Sequence, residues 1–152
     1  MKTKTYNIPQ VGLYLKEKID VYERPVIATS KNIYDVAKSI AYFNHHSDFK
    51  EMIYMMCLNR ANRIIGITLL AEGHDGAVVF SCKQIAQAAI LQNANGVVLF
   101  HNHPSGKTEP SYEDVTTTIK CRDALKLFDI TLLDHLVVSE KDYYSLADEG
   151  RF

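Results

Sequence analysis

The sequence has few cysteines, little net charge and no long apolar run, and each shortage excludes a class of protein. Its three cysteines are an odd number without metal-type spacing, which argues against a disulfide framework and fits a reducing compartment. A formal net charge of −1 does not favour binding to nucleic acid or to an acidic membrane surface. No apolar run approaches membrane-spanning length, and the N-terminal segment has no apolar signal core. We therefore expect a soluble cytoplasmic protein without a membrane partner.

The length and composition fit one globular domain. A chain of 152 residues can bury a sizeable core, and its 47% apolar and 23% charged residues are ordinary for a folded protein. No internal repeat, linker or low-complexity tract divides it. We assign residues 1–24 to an N-terminal strand or extension, with a first strand over Val11–Ile19, and residues 25–152 to a single globular domain.

Apolar periodicity and turn residues predict alternating strands and helices. The expected strands are Glu51–Leu58, Arg63–Ala71, Val97–His101 and Ile130–Val138, with short extended pieces at Val26–Ile27 and Val78–Phe80. The expected helices run from Ser30 to about Phe43, from Ser81 to an end near Asn93–Gly96 with Gly96 as the stop, and from Tyr112 to about Phe128. A polar loop is expected over residues 43–50. This order predicts an α/β fold, a mixed β-sheet flanked by helices.

One stretch combines a buried strand with polar side chains that can bind a metal. The apolar run Val97–Phe100 ends abruptly in His101, Asn102 and His103, and a turn rich in proline and glycine follows. Side chains two apart in an extended backbone point to the same side, so the two histidines can face one ion. Asp114 lies in the first turn of the next helix, which the loop can fold back over the strand end. Two imidazoles and one carboxylate leave a fourth position for water, as in a catalytic rather than a structural zinc site.

Ser111 and Asp114 also fit a simpler interpretation. Ser-x-x-Asp at a helix start is close to a capping box, and the helix dipole favours an acidic first turn. The two interpretations are compatible, because a capping turn fixes the rotamers that metal ligands need.

The letters HNHPSG followed by PSYED resemble the RadC-like branch of the JAMM/MPN metallopeptidase family. The shared pattern is H-x-H-P, a short spacer and S-x-x-D, with a glutamate on an upstream strand. The resemblance covers roughly Arg24 to Ala147, most of the chain. It implies the layered sheet-and-helix architecture that this family shares with cytidine deaminases.

The resemblance also implies a role for each matching residue. His101, His103 and Asp114 would bind one Zn²⁺ per chain. Ser111 would hydrogen-bond the oxyanion or the water at the metal. Glu51, at the start of an apolar strand, best matches the family's upstream glutamate and would act as the general base.

These roles predict a zinc metallopeptidase that hydrolyses an amide or isopeptide bond with a metal-activated water. The expected partner is a peptide or an isopeptide-linked protein, lying extended along a sheet edge beside the site. Direct contact with nucleic acid is not expected, although the family name carries a DNA-repair label. Self-association into a homodimer is left open.

Three alternatives differ in class. A zinc nucleoside deaminase needs H-x-E with P-C-x-x-C, and the sequence contains no Cys-x-x-Cys. An HNH-type nuclease is suggested only by the letters His101-Asn102-His103, whereas the histidines of such sites are spread over a ββα-metal unit. The third alternative is a non-catalytic RadC-like binding module associated with DNA-repair or other nucleic-acid-linked complexes.

Smaller polar groups favour structural interpretations. Asp134-His135 reads as a buried, hydrogen-bonded core pair, with a supporting role behind a zinc-bound histidine as the alternative. His45-His46 fits a solvated loop pair better than a second metal site. Cys82, at a helix N-terminus without a visible partner base, fits a structural role.

Overall fold

The computed structural model describes residues 19–73 and 80–152. The described elements, after a 3-10 turn at Val21–Glu23, are α1 (Ser30–Ser39), α2 (Ala41–His46), β1 (Glu51–Leu58), β2 (Ile64–Gly73), α3 (Cys82–Leu91), β3 (Gly96–His101), α4 (Tyr112–Lys126), β4 (Thr131–Val138) and β5 (Tyr143–Ser145). The predicted first strand Val11–Ile19 and the extended piece Val78–Phe80 fall almost wholly outside the described residues. None of the described helices has the length and apolar character needed to cross a membrane.

The described strands form one five-stranded mixed sheet in the order β2-β1-β3-β4-β5. The central pair, β3 and β4, is parallel, and the other neighbouring strands are antiparallel. Helix α4 makes the crossover between the two parallel strands, as such a connection requires. The predicted α/β fold with a helix-flanked mixed sheet is confirmed.

The two faces of the sheet have separate cores, and residue parity decides which side chain joins which core. On β3, Val98 and Phe100 pack with α1 and α2, whereas Val97 and Leu99 pack with α3 and α4. Because both faces of β1 and β3 are covered, each of these strands is buried along its whole length. This double coverage explains their continuous apolar runs. By the same alternation, His101 continues the set that faces α3 and α4.

The predicted helix from Ser30 to Phe43 is interrupted, and the predicted loop after it is partly helical. Ile40 has an extended backbone, with φ −83° and ψ 104°, and separates α1 from α2. Helix α2 continues to His46, so the prediction of a polar loop from Phe43 was wrong. Phe43 is almost fully buried and packs edge-on against Tyr54 and Phe100, and this tertiary contact outweighs the polar local sequence.

The predicted stop of α3 at Gly96 was also wrong. The helix ends at Leu91, and Asn93 adopts the left-handed conformation with φ 53°. Gly96 instead begins β3, where a Cβ atom would approach Leu133 Cδ1 to 3.1 Å. Its missing side chain therefore serves close packing of the strand rather than termination of the helix.

Candidate metal centre

The candidate metal centre lies at the end of β3, in the middle of the sheet. Ile53 of β1 pairs with His101 of β3 in an antiparallel ladder, so the start of β1 lies beside the end of β3. Glu51 precedes Ile53 by two residues and therefore points to the same side of the sheet as His101. Helix α4 packs on that side and carries Asp114 in its first turn. Three elements distant in sequence thus meet at one point.

The predicted ligands face one another closely. The Nε2 atoms of His101 and His103 are 3.0 Å apart. Asp114 Oδ1 lies 3.5 Å from His101 Nε2, and Asp114 Oδ2 lies 3.6 Å from His103 Nε2. Glu51 completes the group, since one ligand atom from each of the four residues lies within 4.8 Å of the others. Within residues 19–73 and 80–152, this is the only such group of three or more metal-binding side chains.

These separations suit a tetrahedral metal ion. With bonds of about 2.0–2.1 Å and tetrahedral angles, neighbouring ligand atoms stand about 3.3 Å apart. The three distances among the histidine nitrogens and the aspartate oxygens, 3.0, 3.5 and 3.6 Å, lie close to that value on either side. Two imidazole nitrogens and one carboxylate also form the donor set of catalytic sites, in which one position stays open. The residues present therefore fit a small divalent cation.

The proton positions around His101 follow from a chain of hydrogen bonds that begins on α4. Thr118 Oγ1 donates to the carbonyl oxygen of Asp114 at 2.5 Å, which uses its single proton. His135 Nδ1, 2.6 Å from the same hydroxyl, must then carry a proton and donate it to Thr118. In a neutral ring this makes His135 Nε2 an acceptor, and His101 Nδ1 donates to it at 2.8 Å. His101 Nε2 therefore keeps its lone pair, directed at the other ligands.

His103 is held in the same tautomer. Its Nδ1 lies 3.0 Å from the carbonyl oxygen of Lys107, which can only accept, so this nitrogen carries the proton. When both rings are neutral, two imidazole lone pairs and the Asp114 carboxylate converge with no hydrogen between them. Lone pairs brought together in this way repel one another unless a cation lies among them.

The Asp114 carboxylate favours a positive charge beside it. Burial raises the pKa of the Asp114 carboxyl, but hydrogen bonds from His101 and His103, which require a proton at Nε2, outweigh burial and hold that pKa well below its usual range. Hydrogen bonding with Asp114 raises the pKa of His103, against the opposing effect of burial. Burial, followed by repulsion from His101, lowers the pKa of His135 and keeps that ring neutral, as the hydrogen-bond chain requires. A proton or a metal ion can supply the favoured charge.

Ser111 is the N-cap of α4 and is bonded to one of the candidate ligands. Its Oγ accepts a hydrogen bond from the Asp114 backbone N–H at 3.0 Å, and its own backbone N–H donates to Asp114 Oδ2 at 2.7 Å. This is a complete capping box. The cap therefore also fixes the orientation of the Asp114 carboxylate, while the Ser111 side chain is exposed.

Asn102, between the two histidines, anchors the start of β1. Its side chain is almost fully buried. Nδ2 donates to the carbonyl oxygens of Ser47 and Lys50, both at 2.7 Å, and Oδ1 accepts from the Met52 backbone N–H at 2.9 Å. These bonds hold the backbone on both sides of Glu51. The loop that carries the histidines is thereby tied to the strand that carries the glutamate.

Sequence patterns assigned no role to Thr118 and favoured a core pair for His135. The hydrogen bonds support the alternative interpretation of His135, in which it stands behind His101. Thr118 lies four residues after Asp114, one helical turn on, and this spacing was the available signal. The approach of His135 depends on the parallel pairing of β4 with β3, which no local pattern reveals.

Other polar candidates have partners away from this centre. Asp134 accepts from Ser145 Oγ at 2.6 Å and so belongs to the buried pairing of β4 with β5. His46 lies in α2, where its Nδ1 is 2.9 Å from the carbonyl oxygen of Tyr42. Cys82 contacts another cysteine, Cys121.

A cleft of about 270 Å³ opens beside the candidate centre. His103 and Gly106 line it on one side. Residues 47–48, after α2, and residues 139–141, between β4 and β5, line the other. Of the four residues of the candidate centre, His103 is the one that lines the cleft.

Residues 27–151 match the sequence model of the RadC-like JAB domain. A UPF0758 protein of Flavobacterium johnsoniae is 31% identical over 133 residues, which cover 88% of this chain and 56% of that protein. A UPF0758 protein of Cellvibrio japonicus is 40% identical over 111 residues, 72% of this chain and 48% of that protein. One from Methanosarcina barkeri is 31% identical over 124 residues, 82% of this chain and 52% of that protein. The chain thus spans about half the length of the curated relatives it matches, and their names state no activity.

Proposed function

The chain belongs to the RadC-like JAB domain family, and we propose that it is a zinc-dependent hydrolase that cleaves an amide or isopeptide bond. The observation that carries this proposal is the convergence of two imidazole lone pairs and one carboxylate at tetrahedral spacing. A buried glutamate beside them supplies the group that a hydrolytic site needs in addition to its metal ligands.

In this proposal His101, His103 and Asp114 hold the zinc ion. When bound, zinc supplies a Lewis acid that acidifies water toward neutral pH and polarises a substrate carbonyl. The Thr118–His135 chain keeps His101 Nε2 unprotonated, and the Ser111 cap orients the Asp114 carboxylate.

Glu51 is the proposed general base. Its carboxylate accepts a proton from the attacking water and returns it to the leaving nitrogen. Its side chain is only 9% exposed, which removes much of the competing solvent. The hydrogen bonds of Asn102 to residues on both sides hold Glu51 in position for both transfers.

Ser111 is the proposed oxyanion donor. Its Oγ accepts one hydrogen bond from the Asp114 backbone, and the same hydroxyl can still donate its own proton. A donor fixed at a helix start is oriented before the substrate arrives, which is the requirement for stabilising charge in the transition state.

The proposed substrate is a peptide or an isopeptide-linked protein. The cleft of about 270 Å³ beside His103 supports this proposal, because it reaches one of the candidate ligands. The start of β1 is paired with the end of β2, an outer strand of the described sheet, through Glu51 and Gly73. Main-chain pairing along this strand would align a substrate with the proposed base.

Metal analysis is the first test. Purified wild-type protein is expected to hold one zinc ion per chain, and Asp114→Ala to hold almost none. Asp123→Ala is the matched control, because it removes an exposed aspartate from the same helix. Circular dichroism checks that Asp114→Ala and Asp123→Ala are folded. Equal zinc content in wild type and in folded Asp114→Ala would show that the ligand assignment is wrong.

Cleavage of a peptide and isopeptide library tests the reaction. Glu51→Gln is expected to lower turnover at least about 100-fold while leaving zinc content unchanged. Glu149→Gln is the control, because Glu149 is exposed and belongs to neither the cleft nor the candidate centre, and it is expected to turn over like wild type. Undiminished turnover in Glu51→Gln would remove Glu51 as the base.

A further inference from the structure

Two of the three cysteines touch at the junction of α3 and α4. Cys82 is the first residue of α3, and Cys121 lies in the middle of α4. Their Sγ atoms are 2.9 Å apart, closer than ordinary van der Waals contact, and both are free thiols. The bond of a disulfide is about 2.05 Å long, so about 0.9 Å of further approach would join them.

The two thiols differ in their access to solvent. Cys82 is partly exposed at the start of α3. Cys121 is fully buried, and burial, followed by its hydrogen bond with Cys82, raises the pKa of its thiol. A partly exposed cysteine that reacts first and a buried thiol in contact with it are the two components of a redox-active pair.

The third cysteine provides a contrast within the same core. Cys57 lies on β1 and is fully buried, and burial raises the pKa of its thiol to about 12. Burial raises the pKa of Cys121 as well, so the contrast between the two cysteines lies in their neighbours rather than in their pKa values. Cys57 belongs to the same apolar cluster as Cys121 but has no sulfur partner among the described residues.

We propose that Cys82 and Cys121 form an oxidation site that closes to an intramolecular disulfide when the protein meets a hydroperoxide. The Cys82 sulfur attacks the peroxide O–O bond and becomes a sulfenic acid, and an alcohol or water leaves. The Cys121 sulfur then attacks the Cys82 sulfur, the S–O bond breaks, and water leaves with the Cys121 proton. In total, two thiols lose two electrons and two protons, and the peroxide is reduced.

The position of the pair indicates what the bond would connect. Cys121 lies seven residues after Asp114, two turns along the face of α4 that packs on the sheet. Phe80, two residues before Cys82, contacts the His135 ring edge-on with centroids 6.2 Å apart. The disulfide would therefore fasten the start of α3 to the helix that carries a candidate metal ligand. The proposal itself does not depend on the chain being a hydrolase.

Mass spectrometry of the oxidised protein tests the proposal. Native protein is treated with a few equivalents of hydrogen peroxide, denatured, alkylated with N-ethylmaleimide and digested. The expected product has lost about 2 Da, carries one maleimide on Cys57, and yields a linked peptide pair containing Cys82 and Cys121. Dithiothreitol is expected to restore all three alkylation sites.

Single variants separate this site from general thiol oxidation. Cys82→Ser and Cys121→Ser are each expected to abolish the linked peptide, whereas Cys57→Ala is expected to retain it. Cys82→Ser removes a partly exposed thiol, so it carries the test even if Cys121→Ser does not fold. Oxidation of Cys82 to sulfinic or sulfonic acid without a link, a link through Cys57, or a link between two chains would overturn the proposal.

Discussion

On the face of the sheet that packs against α1 and α2, aromatic rings close the core, whereas on the other face the same strands lead into polar side chains. Phe100 stacks on Tyr54 at 5.2 Å and meets Phe43 edge-on at 5.4 Å. The next residue, His101, points the other way and joins the candidate metal centre. One strand thus contributes to the apolar core with one face and to the candidate metal centre with the other, because its side chains alternate.

This comparison predicts different effects for neighbouring residues. Substitutions on the aromatic face should lower the free energy of unfolding without changing metal binding. Substitutions of the candidate ligands, or of the residues hydrogen-bonded behind them, should change metal affinity with less effect on stability.

Phe100→Ala is expected to have the largest effect. It removes a fully buried ring from the aromatic cluster and should lower the free energy of unfolding by about 3–5 kcal/mol, measured by urea denaturation of metal-free protein. Phe128→Ala is the control, since Phe128 is 51% exposed and its loss should cost less than about 0.5 kcal/mol. Equal losses in the two variants would contradict the contrast between the faces.

Asn102→Ala should come next. It removes three hydrogen bonds, two of them to the residues that flank Glu51, and at about 1 kcal/mol for each bond the free energy of unfolding should fall by about 2–3 kcal/mol. Zinc content per folded chain should stay at the wild-type value. Loss of zinc at unchanged stability would group Asn102 with the ligands instead.

Thr118→Val tests the hydrogen-bond chain behind His101. The substitution keeps the shape but removes the hydroxyl that fixes His135, so zinc affinity should fall about 10-fold in a chelator competition. Thr117→Val, one position earlier on α4, is the control and should bind zinc like wild type. An unchanged affinity for Thr118→Val would show that the chain does not set the tautomer of His101.

The smallest effect is expected from the pH dependence of Asp134. Burial raises the pKa of its carboxyl, although hydrogen bonds from Ser145 and neighbouring backbone groups partly oppose burial. Because the folded state holds this proton more tightly, the contribution to stability is present below the ordinary pKa of 3.8 and is lost as pH rises through the raised value. Asp134→Asn should remove this component from unfolding curves measured across that range. Identical pH profiles for the two proteins would contradict it.

The sequence predicted the core strands well because their patterns are local. Glu51–Leu58 and Val97–His101 are continuous apolar runs bounded by polar residues, and the structure contains both as strands. The break at Ile40 was missed because packing of Phe43 against the sheet decides it. The end of α3 was misplaced because Asn93, rather than Gly96, adopts the left-handed conformation.

The residues of the candidate site also fall into two groups, those that a local sequence pattern predicts and those that only the tertiary structure brings together. The spacing of His101 and His103 is local, so a shared side could be predicted before any fold was known. The positions of Asp114 and Ser111 could be predicted from the capping pattern at the start of α4. The approach of His135 and Thr118 to His101 depends on pairing between β3 and β4 and on the packing of α4, and Asn102 acts on a strand fifty residues earlier. Such contacts are set by tertiary structure.

The pairing of β1 with β3 runs from Leu58–Gly96 to Ile53–His101 without a bulge, whereas both flanking ladders contain register shifts. A slip of one residue in this ladder would turn Glu51 to the opposite side of the sheet, away from the histidines. The proposed base and the candidate metal ligands are therefore aligned by the strand register itself, so assembly of the sheet in this register also brings the candidate site together.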